Sequence, residues 1–280
     1  MVRIITDSAA DLEIAEYEKS NITCIPLSVF FGDKEYQENV NLSKDKFYEL
    51  LATGEYPKTA QASPQILLDL FEEVKEAGEE AVYITLSSAL SGTYQSACAA
   101  KQMAEYDGCY VVDGKNATGG QRMLLEYAAK LRDEGKTAEE IIAGVEALNG
   151  RIVLYACMDT LEYLYRGGRI SQTVYKLGTL AQVKPIIRVS DEGKVEVPAK
   201  AMGMKKGMDY LCKRLEERKP DADFPVYVMY TADRANGVTL AEKFRGMGYD
   251  IPDSRIINVG AAIGSHVGPN ACGMVYIAKD

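Results

Sequence analysis

The chain holds a single histidine, His266, in the stretch Gly264-Ser265-His266-Val267-Gly268-Pro269 just before a final apolar run. Glycines on both sides let the backbone come close to whatever the imidazole faces, although a lone histidine is more often a satisfied structural residue. Any step that needs imidazole must use His266, and a multi-histidine metal site is excluded. Hydroxyl groups collect in two other places. In Ala81–Ser96 the β-prone run Val82-Tyr83-Ile84-Thr85-Leu86 breaks into Ser87, Ser88, Ser91 and Gly92-Thr93, then turns into a helix-like segment. A strand that ends in a Ser/Gly loop at a helix N-terminus offers an anion unpaired N–H groups, a positive helix end and hydroxyls together. An ordinary capped loop has the same composition. In Thr59-Ala60-Gln61-Ala62-Ser63-Pro64, Ser63 and Pro64 read as a helix cap and first helical residue, which leaves Thr59 and Gln61 without a local task. In Arg166-Gly167-Gly168-Arg169 two guanidinium groups flank glycines, either as a solvated turn or as a site for a phosphate or an acidic partner.

Several chemistries have no motif here. There is no GxxxxGK[ST] phosphate loop, Gly260–Gly264 lacks the spacing of a dinucleotide fingerprint, and no G-x-S-x-G elbow surrounds the serines. No carboxylate cluster has metal-ligand spacing, so no metal and no cofactor is expected. Ser, Thr and His without an orienting acid suit the holding of a carboxylate better than acyl transfer. A net charge of −9 disfavours non-specific nucleic-acid binding. The cysteines at 24, 98, 109, 157, 212 and 272 show no CxxC spacing and read as reduced, mostly buried thiols. The chain opens directly on a strand-like run, and no segment approaches the ~18 apolar residues of a membrane span, so a cytoplasmic protein without stable membrane insertion is expected.

The elements that must position these groups alternate. Val2-Arg3-Ile4-Ile5 reads as a strand, Asp11 as the cap of a helix to about Lys19, and Ile22–Phe31 as a second strand. Amphipathic helices follow Ser43 and Ser63, strands fall at Val82–Leu86 and Cys109–Val112, a helix spans Gly119–Glu134, and Thr137–Glu140 is a capping box. Such alternation implies a three-layer α/β/α domain with a parallel sheet over residues 1–150, whose ligands gather at the carboxyl ends of the strands. After Asn149-Gly150 hairpins mix with crossovers. Lys184–Val189 and Lys194–Val197 flank Asp191-Glu192-Gly193, so residues 151–280 read as a second α/β domain with a mixed sheet.

Taken together, five ordered segments resemble the DegV family, which includes the fatty-acid-binding subunits of bacterial fatty acid kinase. They are Thr6–Leu12, Thr59–Ser63, Leu90–Ser96, Gly167–Ser171 and His266–Pro269, and they run nearly end to end. Ala60 and Ala62 stand where the family has Ser and Pro, and Met202 or Met204 where it commonly has an arginine. The resemblance implies two α/β domains with an apolar tunnel between them for one long-chain fatty acid. Its carboxylate would be held by Thr59, Ser91, Gly92 and His266. It also implies that the chain is not itself an enzyme. A separate kinase subunit would carry the ATP site and convert the bound acid to an acyl-phosphate for phospholipid metabolism, docking at the surface that bears Arg166 and Arg169. The alternative is a small-molecule enzyme or transferase, related to the dihydroxyacetone kinase fold, that uses a Ser91–His266 pair.

Overall fold

The computed structural model describes residues 2–176 and 182–279. The first half runs β1 (Val2–Asp7), α1 (Ile14–Lys19), β2 (Ile22–Ile25), β3 (Ser28–Phe31), β4 (Lys34–Gln37), α2 (Lys44–Leu51), β5 (Lys58–Thr59), α3 (Pro64–Glu76), β6 (Glu80–Thr85), α4 (Thr93–Ala104), β7 (Cys109–Asp113), α5 (Gly119–Asp133) and α6 (Ala138–Asn149). The second half runs β8 (Ile152–Cys157), α7 (Glu162–Arg166), α8 (Gln172–Lys176), β9 (Val183–Val189), β10 (Val195–Met202), α9 (Gly203–Glu217), β11 (Tyr227–Tyr230), α10 (Arg234–Gly246), β12 (Ile256–Asn258), α11 (Ala261–Val267) and β13 (Cys272–Ile277).

The first sheet has the order β2-β1-β6-β7 and is parallel throughout. Its strands are buried on both faces because side chains alternate. Ile5, Ala81, Tyr83 and Cys109 point to α3 and α4, whereas Ile4, Val82, Ile84 and Val112 point to α5 and α6. The second sheet, β10-β9-β8-β13-β11-β12, is mixed, with only β11 and β12 parallel. Val153, Val228, Met274 and Tyr276 pack beneath α9 and α10, while Leu154, Met229, Val275 and Ile277 join the cluster that contains α5 and α6. One helical layer therefore serves both sheets. The capping box of α6 forms as its sequence indicates, with Thr137 and Glu140 each satisfying the other's backbone N–H.

Four local expectations are corrected. Ile22–Phe31 is two strands, because Pro26 has no N–H to continue the ladder. β2 pairs with β1, and β3 joins β4 and β5 in a small antiparallel sheet. Thr59, expected in a loop, pairs with Val29 at the edge of that sheet. Asp11 does not cap α1. Glu13 does so through a capping box with Glu16, while Asp11 takes a left-handed conformation (φ 59°) and accepts from the distant Gly260 N–H at 2.8 Å. His266 lies in the last turn of a helix, α11, because Ala261–Val267 closes its own helical hydrogen bonds before Gly268 ends it. Among the described residues, no helix is long and apolar enough to cross a membrane.

Candidate ligand-binding site

An apolar cavity lies between the inner face of the second sheet, α11 and the loops of the first half. Leu154, Ile187 and Met229 form one wall, Leu27, Leu86 and Leu90 another, and Ala262, Ile263 and Val267 of α11 a third. Its atom-free space, open mouth included, is ≈ 910 Å³. Ala117, Ala156, Ala271 and Gly273 also line it, and larger side chains at these positions would fill the channel.

Polar groups on the wall are few. Thr59, brought in by the pairing of β5 with β3, places Oγ1 2.8 Å from His266 Nε2. The other face of that imidazole lies against Gly167. A Cβ there would collide with Nδ1, so the first glycine of Arg166–Arg169 is required by the histidine's seat. Burial, and after it the charge of Arg169, pushes the His266 pKa down from 6.5 to about 3, so the ring is neutral at physiological pH. Ser91 also lines the cavity. Its Oγ accepts from the Thr93 N–H at 3.2 Å and lies 3.0 Å from Thr93 Oγ1. Thr93 Oγ1 in turn accepts from the Ala62 N–H, which ties the start of α4 to the Thr59–Ser63 segment.

The two arginines part company. Arg166 is exposed, paired with Glu162 at 2.8 Å and stacked over the Tyr56 ring at 3.9 Å, and it does not line the cavity. Arg169 does line it. Its Nε donates to the Leu90 carbonyl at 2.9 Å and its Nη1 to that of Gly167. Burial alone pulls its pKa down, and among the described residues no carboxylate is paired with it. A half-buried, carboxylate-free guanidinium beside a neutral imidazole makes this end of the cavity electropositive. Gly92 stands just behind the wall, where a Cβ would strike the Gln61 carboxamide that donates to Ser96 Oγ at 2.7 Å. The structure thus brings Thr59, Ser91, Arg169 and His266 to one cavity, and leaves Arg166 outside. Sequence reasoning missed the inward turn of Arg169, and its one signal was the glycine pair that lets the chain fold back under His266. Ser87 and Ser88 are engaged elsewhere, with the Gly193 carbonyl and with Asp113.

Neither Ser91 nor His266 has the other as partner. Ser91 is held by Thr93 and His266 by Thr59. Among the described residues, no group of three or more His, Cys, Asp or Glu side chains could hold a metal ion.

Solved structures share this architecture. A fatty-acid-binding DegV family protein from Thermus thermophilus superposes with a TM-score of 0.89 at 28% identity, over 99% of each chain. A stearic-acid-binding protein from Eubacterium ventriosum does so with a TM-score of 0.86 at 26% identity, over 100% of this chain and 99% of that one. A DegV domain-containing protein of Caldanaerobacter subterraneus subsp. tengcongensis is 33% identical over 279 residues, 99% of either sequence. The family described as "Uncharacterised protein, DegV family" matches residues 1–279. From its first strand to its last, this chain belongs to the DegV family.

Proposed function

We propose that this protein is a cytoplasmic carrier that takes one long-chain fatty acid into the cavity, tail inward, with its carboxylate among Thr59, Ser91, Gly92 and His266. The observation that carries the reading is the wall itself, apolar over most of its lining, with a carboxylate-free Arg169 and a neutral His266 side by side. A half-buried cation without an anion is costly, and a fatty acid supplies the anion and the tail in one molecule. The hydroxyls are set to donate. When His266 Nε2–H donates to Thr59 Oγ1, and Thr93 donates to Ser91 Oγ, each hydroxyl keeps its own proton for the ligand. Burial of ~12 methylenes at ~0.8 kcal/mol each gives roughly 10 kcal/mol before the entropy of binding is charged. The tail dominates affinity, and the polar end decides which way the ligand points.

In this reading the chain divides near residue 150 into two halves that close around the ligand. It performs no chemistry itself. A separate kinase subunit phosphorylates the presented carboxyl group, with the exposed Arg166 face as its docking surface. Mass spectrometry of protein purified from cells under mild conditions and then denatured tests the binding step. It is expected to release a long-chain fatty acid in near-equimolar amount, and repeated recovery of lipid-free protein would contradict it. Acyl-phosphate formed only when the kinase subunit and ATP are both added would support the partner step.

A further inference from the structure

The first of the five motifs, Thr6–Leu12, contributes no residue to the cavity wall, yet it leads to the helix that carries His266. Gly260, the residue before α11, has no side chain with which to cap the helix. The cap comes instead from far along the chain. Asp11 Oδ1 accepts from Gly260 N–H at 2.8 Å, and Glu38 Oε1 accepts from Ala262 N–H at 3.2 Å. Both carboxylates are buried, at 2% and 1% exposure. The Glu38 carboxylate and the backbone of Asp11 are fixed from behind. Ser8 Oγ donates to Glu38 Oε2 at 2.7 Å, and Lys44 Nζ donates to the Asp11 carbonyl at 3.1 Å and to the Glu13 carboxylate at 2.6 Å. Tyr48 Oη adds a bond to the Val259 carbonyl at 2.8 Å.

We propose that Asp11 and Glu38 are positioning residues for the head-group end of the cavity, gripping the first turn of α11 so that its last turn presents His266 to Thr59. The helix is seven residues long, about 10 Å of nearly rigid rod. Movement at the gripped end is therefore carried to the other. Ala262, Ile263, His266 and Val267 all face the cavity from this helix, so its seat sets both the imidazole and part of the tail wall. Burying two carboxylates costs free energy that a serine or threonine at position 260 would avoid as a local cap. What the remote pair adds is a fixed link between the loops of the first sheet and the helix that completes the site. Burial pushes both carboxyl groups' pKa values upward, with their mutual repulsion adding to it for Glu38. The hydrogen bonds from Gly260 to Asp11, and from Ser8 and Ala262 to Glu38, act against that rise.

The inference rests on the fatty-acid reading for its ligand measurement only, because His266 is the one histidine and its imidazole NMR signal needs no ligand. Glu38→Gln and Asp11→Asn are expected to shift that signal in the ligand-free protein. They should also weaken palmitate binding about tenfold relative to hexadecanol, the effect of degrading one charge-assisted hydrogen bond. Asp7 is a control from the same buried layer, with partners Leu86 N–H, Ala9 N–H and Gln121 rather than α11. Asp7→Asn is expected to lower stability while leaving the imidazole signal and the palmitate-to-hexadecanol ratio as in the wild type. Should neither carboxylate variant fold, Tyr48→Phe removes a single bond at the same helix entry and is expected to shift the signal. An unmoved imidazole signal in folded Glu38, Asp11 or Tyr48 variants overturns the proposal, as does an equal shift in Asp7→Asn. Wild-type protein that binds no palmitate would count against the fatty-acid reading alone.

Discussion

Two polar regions sit close to the cavity, and they use their hydrogen-bonding groups in opposite ways. At the carboxyl edge of the first sheet, Asp7, Ser8, Ser87, Ser88 and Asp113 are closed among themselves and neighbouring backbone. Asp7 accepts from Leu86 N–H, Ala9 N–H and Gln121, Ser87 donates to the Gly193 carbonyl, and Ser88 donates to Asp113. On the cavity wall, Thr59 is partnered with His266, Ser91 with Thr93 and Arg169 with two backbone carbonyls, and together they keep donors and positive charge for something else. Composition does not separate a binding site from a structural junction. Residual hydrogen-bonding capacity facing a cavity does.

The contrast breaks most visibly at Asp7. Asp7→Ala strips an acceptor from three buried donors and is expected to cost about 3–5 kcal/mol of stability, read from urea unfolding midpoints. The folded fraction should keep the wild-type preference for palmitate over hexadecanol. The cavity wall should behave in the reverse way. Thr59→Val, which removes the hydroxyl offered to the ligand, or His266→Ala, which removes the group that sets that hydroxyl, is expected to weaken palmitate binding roughly 10- to 100-fold with hexadecanol nearly unaffected, the scale of one bond to a charged group. Equal losses for both ligands would show that these residues hold the tail.

A pH series sharpens the comparison further. The folded-state pKa of His266 is depressed to about 3, so its contribution to stability is complete above the unfolded value of 6.5 and is lost as pH falls from there towards 3. Asp7, raised to about 6 mainly by burial, works in the opposite direction: what it contributes is full below the unfolded carboxyl range and is lost as pH rises through 6. Comparing wild type with His266→Gln cancels the carboxylates. The wild type's margin over this variant is expected to shrink by roughly 1–2 kcal/mol between pH 7 and pH 5, and a constant margin would contradict a buried neutral imidazole. The smallest effect belongs to Arg166, whose pair with Glu162 is exposed and screened by solvent. Arg166→Ala should leave palmitate affinity unchanged, whereas Arg169→Ala should reduce it about tenfold. Matching losses in the two variants would erase the distinction between them.

Much of the fold was legible because it is local. The box of Thr137 and Glu140, the hairpin around Asp191–Gly193 and the strand at Cys109–Val112 all follow from spacing and turn residues. The site was legible only in part. Thr59 stood out as a group without a local task, and the family resemblance singled out Ser91 and His266, yet their meeting depends on β5 joining β3 and on α11 lying across the two halves. The glycine pair in Arg166-Gly167-Gly168-Arg169 signals that the chain can fold back, but not which arginine turns inward. The choice is made by the Leu90 carbonyl, 79 residues away. Asp11 misled for the same reason, since a capping residue next to a helix gives no sign that it serves a different helix 249 residues on.

Palmitate labelled with ¹³C at its carboxyl carbon reports most directly on the claim that the carboxylate sits among Thr59, Ser91 and His266. Bound to the wild type, it is expected to give one sharp signal that remains in the carboxylate position as pH is lowered from 8 to 5, and that moves in Ser91→Ala and His266→Ala. A bound signal that titrates like that of a water-exposed fatty acid, and is the same in all three proteins, would place the carboxylate elsewhere and contradict the account.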